Sequence, residues 1–407
     1  MGQRNSQFYI DREDRFGAHN YHPLPVVLER GEGVFVWDVE GKRYFDFLAS
    51  YSAVNQGHCH PRIVNALAYQ AQKLALTSRA FYNNVLGEWE EKMTSLFGYD
   101  RALPMNSGAE ADETALKLTR KWAYKIKGIP RNQAKIIVCN GNFHGRTISI
   151  ISMSSDPDAY NDYGPYTPGF VNIPYNNTEA LEEKLKDPDV AGFLVEPIQA
   201  EAGVYVPDSG YLKKAAELCK KHGVLLIADE VQTGLARTGK MLACDHEHVR
   251  PDILILGKAL SGGMYPVSCV LADNEIMLTI RPGEHGSTYG GNPLAARVSI
   301  TALDVIIEEN LAENATEMGE LFRKSMRKIK SEMIEVVRGK GLLNAIAIKP
   351  VHGKTAWDLC IAMKEHGLIA KPTHEHIIRF TPPLVITEEQ MLEAIELIKK
   401  TMDEFGV

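Results

Sequence analysis

The chain has 407 residues, with 45 basic and 52 acidic side chains and a formal net charge of −7. That balance leaves no basic footprint for nucleic acid or an anionic membrane, and no run approaches the roughly eighteen apolar residues of a spanning helix. The length exceeds what one hydrophobic core usually supports and points to two domains.

Residues 1–20 are polar and mixed in charge, with acids at Asp11, Glu13 and Asp14. They carry no apolar stretch of the signal-peptide kind. The expectation is a cytoplasmic protein, or a mitochondrial-matrix one if a presequence was removed. Six cysteines (Cys59, Cys139, Cys219, Cys244, Cys269, Cys360) lack paired spacing and read as reduced thiols. Residues 34–38 and 44–47 flank the turn Glu40-Gly41-Lys42, a hairpin signal. The N-terminal segment with its small sheet is therefore expected over 1–57.

From about 60 to 300, helical patterns alternate with short apolar runs. Helices are predicted over 61–75, 108–127, 209–222 and 292–309, and strands over 135–139, 192–196, 224–229, 253–256 and 266–271. This alternation predicts an α/β fold, with a mostly parallel central sheet in a large domain over 58–305. After about 305 the texture changes. A long amphipathic helix is predicted over 312–334, then an alternating strand over 343–348, a helix over 354–366, a strand over 376–380 and a last helix from 387. The expectation is a smaller α+β C-terminal domain over 306–407.

Two of the apolar runs end on charged residues. Val224 to Ala228 stops at Asp229, and Ile253 to Gly257 stops at Lys258. Both runs read as strands buried on two faces, and parallel sheets bind ligands beyond the carboxyl ends of their strands. Taken alone, either residue reads as a routine strand-end charge. Both at one sheet edge point to a site. A lysine beside an acid suits a Schiff base with an aldehyde cofactor whose ring nitrogen the acid keeps protonated.

Other motifs fall at the same edge. Ser107-Gly108-Ala109-Glu110-Ala111 opens a helix, where free N–H groups and the dipole favour a phosphate. It also reads as a plain serine cap followed by an early glutamate. Phe143 offers a ring to stack on a cofactor and Arg146 a fork for a carboxylate. No Walker loop or Gly-x-Gly-x-x-Gly is present, which disfavours an NAD-linked oxidoreductase. His58-Cys59-His60 and His246-Glu247-His248 lack a second cluster at zinc spacing, so no metal is expected.

The ordered motifs at 107–111, 143–147, 229–234 and 257–258 resemble the class III (subgroup II) pyridoxal-phosphate aminotransferases, over almost the whole chain. Residues 17–25 and 51–61 resemble the branch that acts on the δ-amine of ornithine. The resemblance implies a fold-type I PLP-dependent transferase, a homodimer with active sites at the subunit interface. It implies that Lys258 carries the cofactor and then moves the substrate proton, and that Asp229 pairs with the ring nitrogen. Gln232 would sit by the phenolic oxygen, Phe143 on the ring, and the turn Ser107, Gly108 and Ala109 around the phosphate. Thr288 would reach the phosphate of the other subunit. Tyr21 and Arg146 would hold the α-amine and α-carboxylate of ornithine. Arg379 would bind the α-carboxylate of glutamate or 2-oxoglutarate, with Glu201 pairing to it when ornithine is bound, and Tyr51 would line the pocket. N-acetylornithine and 4-aminobutyrate are the rival substrates. A non-catalytic cofactor-binding protein on the same fold is the alternative of another class.

Overall fold

The computed structural model describes residues 5–351 and 353–405. The ends of the two outer segments, 1–4 and 406–407, lie outside these residues. The N-terminal hairpin forms where its turn residues predict. β1 (Leu28–Glu32), β2 (Phe35–Asp38) and β3 (Arg43–Asp46) pair antiparallel, and Gly41 turns the chain at φ 85°.

The large sheet has seven strands. They are β4 (Arg101–Met105), β5 (Lys135–Cys139), β6 (Phe170–Ile173), β7 (Val190–Val195), β8 (Leu225–Asp229), β9 (Ile253–Leu256) and β10 (Ser268–Ala272), in the order 4-10-9-8-7-5-6. All pairs are parallel except those of β10, which runs against both of its neighbours. β7 to β10 are buried at every position, as their unbroken apolar sequences predict. The helix Gly108–Trp122 packs on this sheet through Ala111 and Ala115, small residues that let it come close, and through Leu118. Burying one leucine or isoleucine contributes about 1.5–3 kcal/mol, so Leu226 and Ile227 fix the register of β8 and with it the place of Asp229.

The C-terminal part has its own sheet: β11 (Ile334–Lys340), β12 (Leu343–Ile348), β14 (Lys371–Thr373) and β15 (Ile377–Phe380), in the order 11-12-15-14. The short β13 (Leu368–Ile369) leaves it and pairs in parallel with β3, Leu368 opposite Phe45. The first and last segments of the chain thus share a sheet. Helices Ala356–Glu365 and Glu388–Phe405 cover this end.

Three expectations shift. The helix predicted over 312–334 ends at Met326, and the residues from Ile334 become β11. Ile334, Val336 and Val337 are β-branched and favour a pleated surface, although their spacing also continues the helical stripe. The helices Ser6–Phe16 and Leu86–Phe97 had no sequence assignment. Neither had β4 and β6, since β4 contains Pro104 and β6 is a four-residue edge strand.

Candidate active site

Asp229 and Lys258 line one cavity of about 150 Å³, with Gly108, Ala109, Phe143 and Gln232. A larger cleft of about 630 Å³ opens at the amino-terminal end of β8, beside Leu225 and Leu226, and holds none of the predicted site residues. β8 and β9 are neighbours in register, Asp229 opposite Ile255, so the two chain ends emerge side by side. This is the crevice beyond the strand ends that the sequence predicts.

One wall is the start of the helix Gly108–Trp122. Ser107 caps it: its hydroxyl accepts from the N–H of Glu110 at 3.2 Å, and the Glu110 carboxylate accepts from the N–H of Ser107 at 2.9 Å. This reciprocal box fixes the turn. Gly108 and Ala109 occupy the first helical positions, whose N–H groups no carbonyl of the helix can reach. The loop carrying Phe143 closes against them. A Cβ on Gly145, where φ is 126°, would stand 2.6 Å from the Cβ of Ala109.

Behind Asp229 lies a buried ionisable cluster that sequence reasoning did not assign. The Asp229 carboxylate accepts from Nδ1 of His144 at 2.6 Å and from the N–H of Val231 at 2.9 Å. A carboxylate of Asp112 stands 3.7 Å from the same His144 nitrogen. Burial pulls the His144 pKa down, but the bond to Asp229 together with the charges of Asp229 and Glu196 outweighs it, and the pKa is raised. Burial, and then the charge of Asp229, push Asp112 well up. Glu196 accepts from the N–H of Phe143 at 2.9 Å, and burial raises its pKa to about 8. A signal for Glu196 was available: it ends the apolar run of β7 as Asp229 ends that of β8. Asp112 and His144 sit inside a helix and a loop motif, with nothing local to mark them.

Lys258 follows β9 at φ 42°, a left-handed conformation that lysine rarely adopts. Its amine reaches the enclosed cavity, although the residue as a whole keeps partial exposure. Burial lowers its pKa to about 8. Gln232, three residues after Asp229, lines the same cavity.

The substrate residues divide into two groups. Arg379, on β15 and nearly buried, donates to Glu201 at 2.8 Å and 3.4 Å and lies 4.9 Å above the ring of Tyr51. Glu201 keeps about a third of its side chain exposed. Burial pushes the Glu201 pKa up, but Arg379 draws it below the usual carboxylate value. Burial raises the Tyr51 pKa. These three form one cluster. Tyr21 is exposed at the edge of this cluster, with the amine of Lys371, which pairs opposite Arg379, 6.0 Å from its ring, and Arg146 is exposed over Phe143 at 5.6 Å. Thr288 is exposed next to Ser287, whose hydroxyl accepts from Asn106 at 2.9 Å, and it does not line the cavity of its own chain.

The residues present fit pyridoxal phosphate. The flush Gly108–Gly145 wall leaves a cradle that added side-chain carbons would fill, beside helix N–H groups suited to a phosphate. Asp229 supplies an acceptor held from behind, and Lys258 an amine easily freed of its proton. Among the described residues, Nε2 of His144 and Oδ1 of Asp112 are buried without hydrogen-bond partners in the same wall.

Comparison with known proteins agrees with this geometry. The profile of the family described as aminotransferase class-III matches residues 16–402. The chain is 64% identical over 401 residues to a Drosophila melanogaster protein named ornithine aminotransferase, mitochondrial, covering 98% of this chain and 92% of the relative. A solved ornithine aminotransferase from Toxoplasma gondii superposes with a TM-score of 0.97 at 48% identity, covering 99% of this chain and 96% of that one. A solved protein from Elizabethkingia anophelis named acetylornithine aminotransferase superposes with a TM-score of 0.91 at 62% identity, covering 99% and 100%.

Proposed function

The chain belongs to the class-III aminotransferases, and we propose that it transfers the δ-amino group of L-ornithine to 2-oxoglutarate, giving glutamate 5-semialdehyde, which cyclises to pyrroline-5-carboxylate, and glutamate. It is a pyridoxal-phosphate enzyme. The observation that carries the substrate pair is the bridge between buried Arg379 and partly exposed Glu201, whose charges both act on Lys258. An uncovered arginine attracts any carboxylate. A movable acid lets one pocket serve a diamine and a dicarboxylate in turn.

When bound, pyridoxal phosphate joins its aldehyde carbon to an amine and takes up the electron pair left when the substrate carbon loses its proton. The protein does the rest. Gly108 and Ala109 in the Ser107 turn would hold the cofactor's phosphate, Phe143 its ring and Gln232 its phenolic oxygen. Asp229, oriented by His144 and Val231, keeps a proton on the ring nitrogen. Lys258 would serve as the general base and acid that moves the substrate proton when the cofactor is bound. Tyr21 and Arg146 hold the α-amine and α-carboxylate, turning the δ-amine inward. Arg379 binds 2-oxoglutarate once Glu201 swings aside. In a homodimer, Thr288 reaches the phosphate of the second subunit, which accounts for its exposure and its distance from its own cavity.

The test is product analysis. Purified protein with ornithine and 2-oxoglutarate should yield pyrroline-5-carboxylate and glutamate in equal amounts, and absence of either sinks the reading. N-acetylornithine is the second reading, favoured by the name of the bacterial neighbour. Tyr21 weighs against it, since a phenol suits a free α-amine better than an acetamide. For the compartment, the fly relative is named mitochondrial, which supports the mitochondrial alternative, and cell fractionation tests it against the cytoplasmic expectation.

A further inference from the structure

One buried charge in the fold belongs to none of the roles above. Arg237 is fully buried, and among the described residues no carboxylate lies within ion-pair distance of it. Burial lowers its pKa to about 9, so it still carries its charge at neutral pH. Burying an unpaired charge is costly unless its donors are used. Arg237 places four of its five N–H donors on three segments. Nε and one terminal nitrogen donate to the side-chain oxygen of Asn55 at 3.2 Å and 2.6 Å. The other terminal nitrogen donates to the carbonyls of Leu342 at 3.0 Å and Pro382 at 2.7 Å.

Each anchor lies beside a substrate residue. Leu342 immediately precedes β12, in which Ala345 pairs with Arg379 on β15. Pro382 follows β15, three residues after Arg379. Asn55 ends the segment that carries Tyr51, whose ring underlies the Arg379 guanidinium. The same segment clasps the far end of β15. The N–H of Thr381 donates to Phe47 at 2.7 Å and that of Leu384 to Asn55 at 2.8 Å. Arg237 itself lies eight residues past Asp229, on the loop that leaves the cofactor wall. The two backbones also meet closely: a Cβ on Gly341 would stand 2.3 Å from the carbonyl carbon of Thr238.

We propose that Arg237 is a positioning residue for the dicarboxylate half of the reaction, a fork that fastens the strand of Arg379 and the turn of Tyr51 to the cofactor wall. The inference rests on the proposed roles of Arg379 and Glu201. Losing the fork lets Arg379 drift from the place where it receives the α-carboxylate of 2-oxoglutarate. The ornithine half depends on Tyr21 and Arg146, which Arg237 does not touch.

Arg237→Lys keeps a cation but loses the fork. The two half-reactions are followed separately by the visible absorbance of the bound cofactor, first on adding ornithine and then on adding 2-oxoglutarate to the aminated enzyme. The expected result is a rise of about tenfold or more in the half-saturating 2-oxoglutarate concentration, with the ornithine half within about threefold of the parent. Equal losses in both halves, or none in either, overturn the proposal. Should Arg237→Lys not fold, Asn55→Ala decides. It keeps the carbonyl bonds and loses one anchor, so a smaller rise confined to 2-oxoglutarate is expected, and unchanged 2-oxoglutarate saturation overturns the idea. A parent enzyme that does not use ornithine at all contradicts the proposed function instead.

Discussion

Lys258 gives up its proton near pH 8 because burial penalises its ammonium form. The neutral amine is the nucleophile, so the pH dependence has a definite sign. Capture of pyridoxal phosphate by the apoenzyme should quicken about tenfold per pH unit below that value and level off above it. Stopped-flow absorbance at several pH values measures it, and a rate that falls with pH contradicts the assignment. Lys258→Ala removes both the attachment point and the proton carrier. Its ornithine turnover should drop by about a thousandfold or more, and steady-state assays that find ordinary turnover reject the role. Glu201 acts through Arg379. In Glu201→Ala the guanidinium stands uncovered, so glutamate should compete as an amino donor. The kcat/KM ratio of ornithine to glutamate should fall by about tenfold, and an unchanged ratio rules out the gate.

At the scale of elements, the site is a set of strand ends and one helix start. Gly145 shows how tightly they meet, because its positive φ and the 2.6 Å approach of an added Cβ to Ala109 leave no room for a side chain. Gly145→Ala should press on the phosphate turn and weaken cofactor binding by about tenfold, read as the dissociation constant from apoenzyme titration; unaltered affinity would separate the turn from the phosphate. The sequence made much of this legible. β8 and β9 are unbroken apolar runs, and Ser107 with Glu110 is a local cap, so period and capping reveal them. The helix end at Met326 was not legible, since Ile334, Val336 and Val337 fit a helical stripe as well as a strand and only pairing with β12 decides. Glu196 could be read as the end of the β7 run, but Asp112 and His144 were hidden because their meeting depends on a helix and a loop converging behind Asp229. Arg237 was hidden for the same reason: its anchors lie 182, 105 and 145 residues away in the chain.

The whole molecule is joined across its length. β13 pairs with β3 and the fork of Arg237 reaches Asn55 and Pro382, so the first and last segments close over the cavity built by the middle of the chain. This closure sets Tyr51 and Arg379 opposite the wall of Lys258 and Asp229. The cofactor wall supports amine transfer in general, and the substrate residues around it, Tyr21 and Arg146 above all, choose the amine. The most direct test of that claim is therefore a comparison of kcat/KM for ornithine, N-acetylornithine and 4-aminobutyrate, each with 2-oxoglutarate. The account predicts that ornithine exceeds both by about tenfold or more. Equal or faster turnover of either rival would contradict it.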